Sequence, residues 1–149
     1  MAEFSNFDLR MFAKAKEIAS TSNFNHFRMG CVITYKHHIL SCAPNSTKTH
    51  PMQKRYNKYR NFRKDNAKPC VHSVHAEIAA LSLIPSHLLD QINWKDVSIY
   101  VYRIAPGKSG QFGLASPCPA CRQALIDKGV RNFYYTGNGS YIYEKVTDM

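Results

Sequence analysis

The sequence of 149 residues lacks several features that mark specialised classes of protein. No apolar run approaches the roughly 20 residues that cross a bilayer, and residues 1–16 carry charges throughout, with no apolar leader segment. We therefore expect a cytoplasmic protein that makes no membrane contact. Internal repeats and low-complexity stretches are also missing, so the simplest prediction is one domain spanning residues 1–149.

Acidic residues are scarce, and the cysteines do not form a disulfide pattern. Five cysteines, an odd number, do not indicate a disulfide framework. Cys31 and Cys42 lie in apolar, strand-like segments, where a buried thiol is expected. Ten acidic residues stand against 20 Lys and Arg, which gives a net charge of +10. This excess favours a phosphate-bearing substrate or partner, although a solvated basic surface accounts for the same composition.

Two short motifs carry the strongest chemical signal: His-Ala-Glu at residues 75–77 and Pro-Cys-Pro-Ala-Cys at residues 117–121. They supply three ligands suited to Zn²⁺, namely His75, Cys118 and Cys121. The two cysteines have the spacing of neighbours on one helical turn, so both thiolates can reach the same ion. Three protein ligands leave the fourth zinc position open for water, as catalytic sites require.

Glu77 adds a carboxylate that the metal does not need. The combination H-x-E and P-C-x-x-C is the signature of zinc-dependent nucleobase deaminases. In such a site zinc lowers the pKa of its water to about 7, and Glu77 would act first as general base and then as general acid. A lone Cys-x-x-Cys also suits a redox pair or half of a structural zinc site, but neither requires Glu77 or Pro117.

Residues 44–72 form a long, polar and basic insert, of a length that is usually functional or mobile. Its cations alternate with aromatic residues, a pattern that can follow a phosphate backbone and stack bases. The candidate phosphate or nucleic-acid contacts are Lys48, Lys54, Arg55 and Lys58. The basic outer face of an amphipathic helix explains the same residues. His50, Cys70 and His72 could bind a second, structural zinc, or they could be loop residues without metal.

Hydrophobic periodicity predicts an α/β fold with five strands covered by helices. Only residues 137–140 separate the last two strands, too few for a parallel crossover, so we expect an antiparallel hairpin there. Gly129 is expected to end the last helix. The predicted helices are 8–20, 75–83 and 118–128, and the predicted strands are 29–35, 38–42, 97–102, 132–136 and 141–144.

With these motifs, the chain resembles the cytidine deaminase superfamily over about residues 8–144. The resemblance implies a three-layer helix–sheet–helix sandwich with a five-stranded mixed sheet and the zinc between two helices. The hairpin of the last two strands resembles the one found in free cytidine deaminases and in several bacterial toxin deaminases. In tRNA adenosine, deoxycytidylate and polynucleotide cytosine deaminases, a helix separates these strands.

Two stretches resemble free cytidine deaminases more closely. Residues 116–123 are similar to S-P-C-G-A-C-R-Q, and residues 22–30 to S-P-Y-S-x-F-x-V-G. By this resemblance Arg122 donates to a zinc-bound thiolate. The residues implied to contact the substrate are Phe27, Asn45, Ala76, Ser116 and Pro117. Alternatively, Phe27 is an aromatic residue of the core and Asn45 is a turn residue.

The sequence departs from that family at Thr47, where a sugar-binding Glu is expected. Losing a carboxylate and gaining cations favours a 5′-phosphate or a polynucleotide. We expect a zinc-dependent hydrolase that deaminates cytosine in a nucleoside or nucleotide, assembled as a homo-oligomer as the family implies. The alternatives are a deaminase of cytosine or adenine in single-stranded DNA or RNA, and a non-catalytic, zinc-stabilised module that binds nucleic acid.

Overall fold

The computed structural model describes residues 4–23, 28–46, 75–104, 112–113, 115, 119–137 and 139–146. Its α-helices are α1 (Asn6–Ala19), α2 (Ala76–Ser82) and α3 (Pro119–Lys128). Its strands are β1 (Arg28–Tyr35), β2 (His38–Pro44), β3 (Val97–Ile104), β4 (Phe112–Gly113), β5 (Asn132–Thr136) and β6 (Tyr141–Lys145). Short 3₁₀ turns at Ser86–Leu88 and Trp94–Asp96 connect α2 to β3. None of these described helices is long and apolar enough to cross a membrane.

The strands form one mixed sheet in the order β2-β1-β3-β5-β6. The β3–β5 pair is parallel, and the β1–β2, β1–β3 and β5–β6 pairs are antiparallel. The predicted α/β class and the antiparallel last hairpin are therefore confirmed. The sequence did not predict β4, which adds two residue pairs to the edge of β3, at Arg103 and Ile104. The Gly and Pro residues around it are typical of a loop, so hydrophobic periodicity does not reveal so short a strand.

Helices cover both faces of the sheet. Alternate residues of β1 point to opposite faces, so they pack into two different cores. Val32 joins Phe12 and Ala15 of α1 in one core. Cys31 and Ile33 face a second core, to which α2 and α3 contribute. Both cores are closely packed, with Phe12, Val32 and Ile33 fully buried. The three-layer sandwich that the family resemblance implies is therefore confirmed.

Local capping explains where the helices begin and end. The Ser5 hydroxyl accepts from the Asp8 amide and the Asp8 carboxylate accepts from the Ser5 amide, a capping box that starts α1 before the predicted residue 8. Gly129 ends α3 with φ +111°, and the amides of Gly129 and Val130 donate to Ile126 and Leu125 in a Schellman motif. The predicted stop at Gly129 is thus confirmed.

The two hairpins reach tight turns by different means. Gly139 in the β5–β6 turn has φ +90°, which glycine adopts without strain. The β1–β2 turn instead places Lys36 and His37 at φ 49° and 66°. This two-residue geometry matches the right-handed twist of the strands, although Asn and Gly are the residues that usually adopt it.

Candidate active site

The chain direction brings the candidate site residues to one end of the sheet. β2 and β3 both run antiparallel to β1, so α2, which connects them, must run back along the sheet. The Ser41 hydroxyl of β2 donates to the Ala80 carbonyl near the end of α2, at 2.6 Å, as this antiparallel packing requires. The first turn of α2 therefore lies at the carboxyl end of β2. α3 likewise connects the parallel strands β3 and β5, so its first turn lies at the same end.

His75 and Cys121 meet at this end, although 46 residues separate them in the sequence. His75 is the N-cap residue of α2, and Cys121 lies fully buried in the first turn of α3. The Nδ1 atom of His75 lies 3.2 Å from the Sγ atom of Cys121. Two tetrahedral zinc ligands with usual bond lengths are about 3.5 Å apart, so this separation suits a shared ion.

One imidazole and one thiolate at this spacing fit two of the three predicted zinc ligands. Within the described ranges no group of three His, Cys, Asp or Glu side chains is placed to hold a metal. Cys118, the third predicted ligand, lies outside those ranges. So do Phe27, Ser116 and Pro117 among the predicted substrate contacts, and the cations Lys48, Lys54, Arg55 and Lys58. Thr47 and the proposed second zinc ligands His50, Cys70 and His72 lie outside them as well.

Glu77 follows His75 on the first turn of α2 and is only 1% exposed. A carboxylate is costly to bury, so the position of Glu77 beside His75 makes it a candidate for a chemical role. Ala76, a predicted substrate contact, is fully buried between the two residues. Burial raises the pKa of the Cys31 thiol, and the nearby charges of Glu77 and Cys42 raise it further. Cys31 is therefore a neutral thiol. Its predicted burial is confirmed, whereas Cys42, for which the same burial was expected, is only partly buried.

Asn45 lies immediately beyond β2, at the same end of the sheet as His75 and Glu77, and is 7% exposed. Its side-chain oxygen Oδ1 accepts from the Met29 amide at 3.1 Å and from the Ser22 hydroxyl at 2.6 Å. The backbone amide of Asn45 donates to the Met29 carbonyl at 3.0 Å. The carboxamide is therefore held firmly, which a simple turn residue would not need. Its predicted contact with substrate stays a prediction.

Arg122 follows Cys121 and faces the last strand. Its two terminal nitrogens donate to the two carboxylate oxygens of Glu144 at 2.9 and 2.6 Å, and its guanidinium lies 5.3 Å from the centre of the Phe133 ring. The hydrogen bond from Arg122 lowers the pKa of Glu144 against the opposing effect of partial burial. The pair with Glu144 uses one N–H of each terminal nitrogen, so three of the five N–H donors of Arg122 remain, and its predicted donation to a zinc-bound thiolate stays a prediction.

A groove of about 410 Å³ lies elsewhere, on the α1 side of the sheet. Phe7, His37, Asp96 and Asn132 are among its lining residues. Asp96 immediately precedes β3 and Asn132 begins β5, so the groove lies at the amino ends of these strands. The groove therefore lies on the opposite face of the sheet from His75 and Cys121, and at the opposite end of the strands.

Sequence reasoning missed Ser22 and Glu144, which hold Asn45 and Arg122. Ser22 is the first residue of the segment 22–30 that resembles free cytidine deaminases. Its distance of 23 residues from Asn45 hides the contact. In the β1–β2 hairpin, however, Gly30 pairs with Pro44, which places Met29 beside Asn45. The register of this hairpin therefore indicates that the segment before β1 lies close to Asn45.

The sequence model of the cytidine and deoxycytidylate deaminase zinc-binding region matches residues 5–137. The chain therefore belongs to this family of deaminases. No curated protein sequence matches the chain.

Solved structures agree with this fold. The chain is similar to the cytidine deaminase of Burkholderia pseudomallei, with 17% identity, a TM-score of 0.58 and coverage of 95% of this chain and 93% of that one. It is also similar to dCMP deaminase of the cyanophage S-TIM5 in apo form, with 17% identity, a TM-score of 0.57 and coverage of 91% and 86%. The complex of that enzyme with dCMP and dUMP matches at 16% identity, a TM-score of 0.56 and coverage of 92% and 85%.

Proposed function

We propose that this protein is a zinc-dependent hydrolase that converts cytosine to uracil in a (deoxy)cytidine nucleoside or nucleotide. The observation that carries the proposal is the 3.2 Å approach of His75 and Cys121 beside the buried Glu77, in a chain of the deaminase family. The reaction consumes one water and releases one ammonia. The proposal names cytosine because the matched family and structures are those of cytidine and dCMP deaminases.

His75, Cys118 and Cys121 would hold the zinc. When bound, this ion supplies a Lewis acid that makes water acidic enough to react at neutral pH. Glu77 would accept a proton from the attacking water as the water oxygen bonds to C4 of cytosine, and would pass that proton to the ring nitrogen N3. It would then carry the remaining hydroxyl proton to the amino group, so that the C4–N bond breaks and ammonia leaves. The almost complete burial of Glu77 excludes bulk water, which would otherwise compete for the same protons.

A phosphate on the substrate is consistent with the charge of the chain. The structure of the cyanophage enzyme contains dCMP and dUMP, and the net charge here is +10. Thr47 in place of a carboxylate removes a repulsion against phosphate. We therefore propose that dCMP or CMP is deaminated at least as well as the free nucleoside.

An ammonia-release screen tests the function directly. Purified protein with measured zinc content is offered cytidine, deoxycytidine, CMP, dCMP, adenosine and a single-stranded oligonucleotide. We expect about one zinc per chain and ammonia release with at least one cytosine substrate. Release from the oligonucleotide alone, abolished by charge reversal at Lys54, Arg55 and Lys58 and weakened steeply by salt, would favour the polynucleotide deaminase instead.

The variant Glu77→Gln separates catalysis from binding. It keeps the shape of the side chain and all three predicted ligands, so we expect unchanged zinc content and a loss of turnover of roughly 10²- to 10⁴-fold. Glu17→Gln makes the same chemical change on the exposed face of α1 and serves as the matched control. Full turnover by Glu77→Gln would overturn the mechanism. No ammonia from any substrate would favour the non-catalytic binding module.

A further inference from the structure

The groove on the α1 side of the sheet is built from residues that the proposed deamination does not use. Its volume of about 410 Å³ lies within the range of sites that bind small molecules. A row of polar side chains from three neighbouring strands lines it. Thr34 of β1 lies opposite Ser98 of β3, and Ser98 lies beside Asn132 of β5.

The Thr34 hydroxyl is the observation that points to a ligand. Thr34 is only 3% exposed, and it lines the groove. Among the described residues its hydroxyl has no hydrogen-bond partner, and neither has the hydroxyl of Ser98 beside it. Buried hydroxyls nearly always have a partner. A polar molecule bound in the groove would supply one.

The Asn132 side chain offers this groove an acceptor rather than a donor. Its two amide hydrogens are directed to the carbonyl oxygens of Lys95 and Val97, at 3.2 and 3.4 Å. Its oxygen Oδ1 accepts from the Tyr143 hydroxyl at 2.8 Å and has a second lone pair. Only this remaining lone pair can serve a ligand.

Two carboxylates add further acceptors and negative charge. Asp8 accepts from the Tyr100 hydroxyl at 2.6 Å and from the Ser5 amide at 3.0 Å, and each of its oxygens keeps another lone pair. Asp96 also lines the groove, and its exposed carboxylate has no hydrogen bond or ion pair within the described ranges. A ligand rich in donors and of positive charge complements both groups.

Lys36 and His37 are the lining residues that could oppose this charge. The Lys36 Nζ atom lies 5.2 Å from the centre of the Tyr35 ring, and Tyr35 packs against the core on the opposite face of the sheet. The ammonium is therefore directed away from the groove. The His37 ring stacks on Phe7 with centroids 4.5 Å apart, and together they form an aromatic wall. Two carboxylates thus face at most one imidazolium.

We propose that this groove is a binding site for a small organic cation, an aliphatic diamine whose ammonium groups donate to Asp8 and Asp96. Each ammonium carries three donors and no acceptor, which matches the acceptors that the groove presents. The Thr34 hydroxyl accepts from the ligand and so gains the partner it lacks. The alkyl chain packs along the aromatic wall, where ring faces also attract cations. The site lies apart from His75 and Cys121 and is independent of deamination.

Calorimetric titration of the whole protein with putrescine tests the proposal. The matched controls are butanediol, which has the same chain length without charge, and succinate, which carries the opposite charge. We expect putrescine to bind with a Kd on the order of 0.1–1 mM, more weakly as salt increases, and neither control to bind. A net charge of +10 repels cations in general, so putrescine binding would report the local charge of the groove.

The variants Thr34→Val and Asp96→Asn locate the site. Thr34→Val keeps the shape of the side chain, and the lost hydroxyl has no protein partner, so the unfolding midpoint in urea should not fall while putrescine affinity falls about fivefold. Asp96→Asn should lower the affinity about tenfold. Asp90→Asn removes the same charge from an exposed residue that does not line the groove, and should change the affinity less than twofold.

Several results would overturn this site. They are no putrescine binding at about 10 mM, butanediol or succinate binding as tightly as putrescine, and equal losses of affinity for Asp96→Asn and Asp90→Asn. An unchanged affinity in folded Thr34→Val would do the same. None of these results bears on the proposed deamination, because none involves His75, Glu77 or Cys121.

Discussion

Gly30→Ala is expected to be among the most damaging single-methyl changes in the described part of the chain. Gly30 lies in β1 where the strand crosses beneath the end of α1. A Cβ atom there would lie 2.2 Å from the Ala15 carbonyl oxygen, 2.5 Å from the Ala19 nitrogen and 3.1 Å from the Ala19 Cα. All three atoms belong to the helix backbone, so no side-chain rotation can relieve the overlap.

The cost can be estimated from the movement required. Carbon atoms pack best at a separation of roughly 3.5 Å, so α1 would have to move away from β1 by about 1 Å. Phe12, Ala15 and Ala19 of α1 are fully buried, and a gap of that size forfeits about a quarter to a half of their contact energy with the sheet. Overpacking usually costs about 1–3 kcal/mol, and an immovable backbone obstacle places Gly30→Ala at about 3 kcal/mol.

Urea unfolding of the parent and variant measures this difference. A loss of about 3 kcal/mol is a large part of the roughly 5–15 kcal/mol that stabilises a domain. Gly137→Ala is the control, because its Cβ would meet the Ile142 side chain at 2.6 Å, and the tip of that side chain can rotate away. We expect it to cost about 1 kcal/mol. A loss below about 1 kcal/mol for Gly30→Ala, or equal losses for both variants, would refute this reasoning.

Three further predictions concern charge, pH and metal. Because the hydrogen bond from Arg122 lowers the pKa of Glu144, the pair stabilises the fold above the unfolded pKa of about 4.3 and loses that effect as the pH falls through the lower folded value. Glu144→Gln should therefore cost about 0.5–1 kcal/mol at pH 7, a modest figure for a pair about one third exposed, and progressively less as the pH falls below the unfolded pKa, measured by urea unfolding. Burial, and after it the charge of Asp8, raises the pKa of Tyr134 to about 12. The neutral Tyr134 therefore stabilises the fold fully below about pH 10, and this contribution declines as the pH rises towards 12. In thermal melts Tyr134→Phe should lose melting temperature less steeply over this pH range than the parent, and equal slopes for the two proteins would contradict the assignment. Finally, removing zinc with a chelator should lower the melting temperature as well as abolish deamination, because a ligand bound only to the folded state stabilises it; an unchanged melting temperature after verified zinc loss would argue against a site joining α2 and α3.

Local rules were sufficient for much of the fold. The apolar spacing of α1, the short connection before β6 and the glycine after α3 each act within a few residues, and all three predictions are confirmed. The β1–β2 turn was also predicted, although Lys36 and His37 lack the usual turn chemistry. Here the apolar strands on either side, rather than the turn residues, determine the hairpin.

Contacts between distant segments could not be derived in the same way. The pairing of His75 with Cys121 was predicted because metal chemistry demands such a partner, and the structure brings the two together. No comparable chemical requirement predicts that Ser22 contacts Asn45 or that Arg122 contacts Glu144. These pairs depend on strand order and register, which arise from the packing of the whole sheet. The predicted homo-oligomer likewise depends on surfaces between chains and stays a prediction.

The two cores also differ in the light they absorb and emit. Trp94, the single tryptophan of the sequence, packs against the core that contains Cys121 and lies beside Gly129 at the end of α3. The stacked rings of Tyr100 and Tyr134, 4.4 Å apart, belong to the opposite core under α1. Tryptophan emission therefore follows the layer of the candidate active site, while the tyrosine pair contributes a near-ultraviolet dichroism signal from the layer of α1. Comparing the two signals in one denaturant titration reveals whether the layers unfold together.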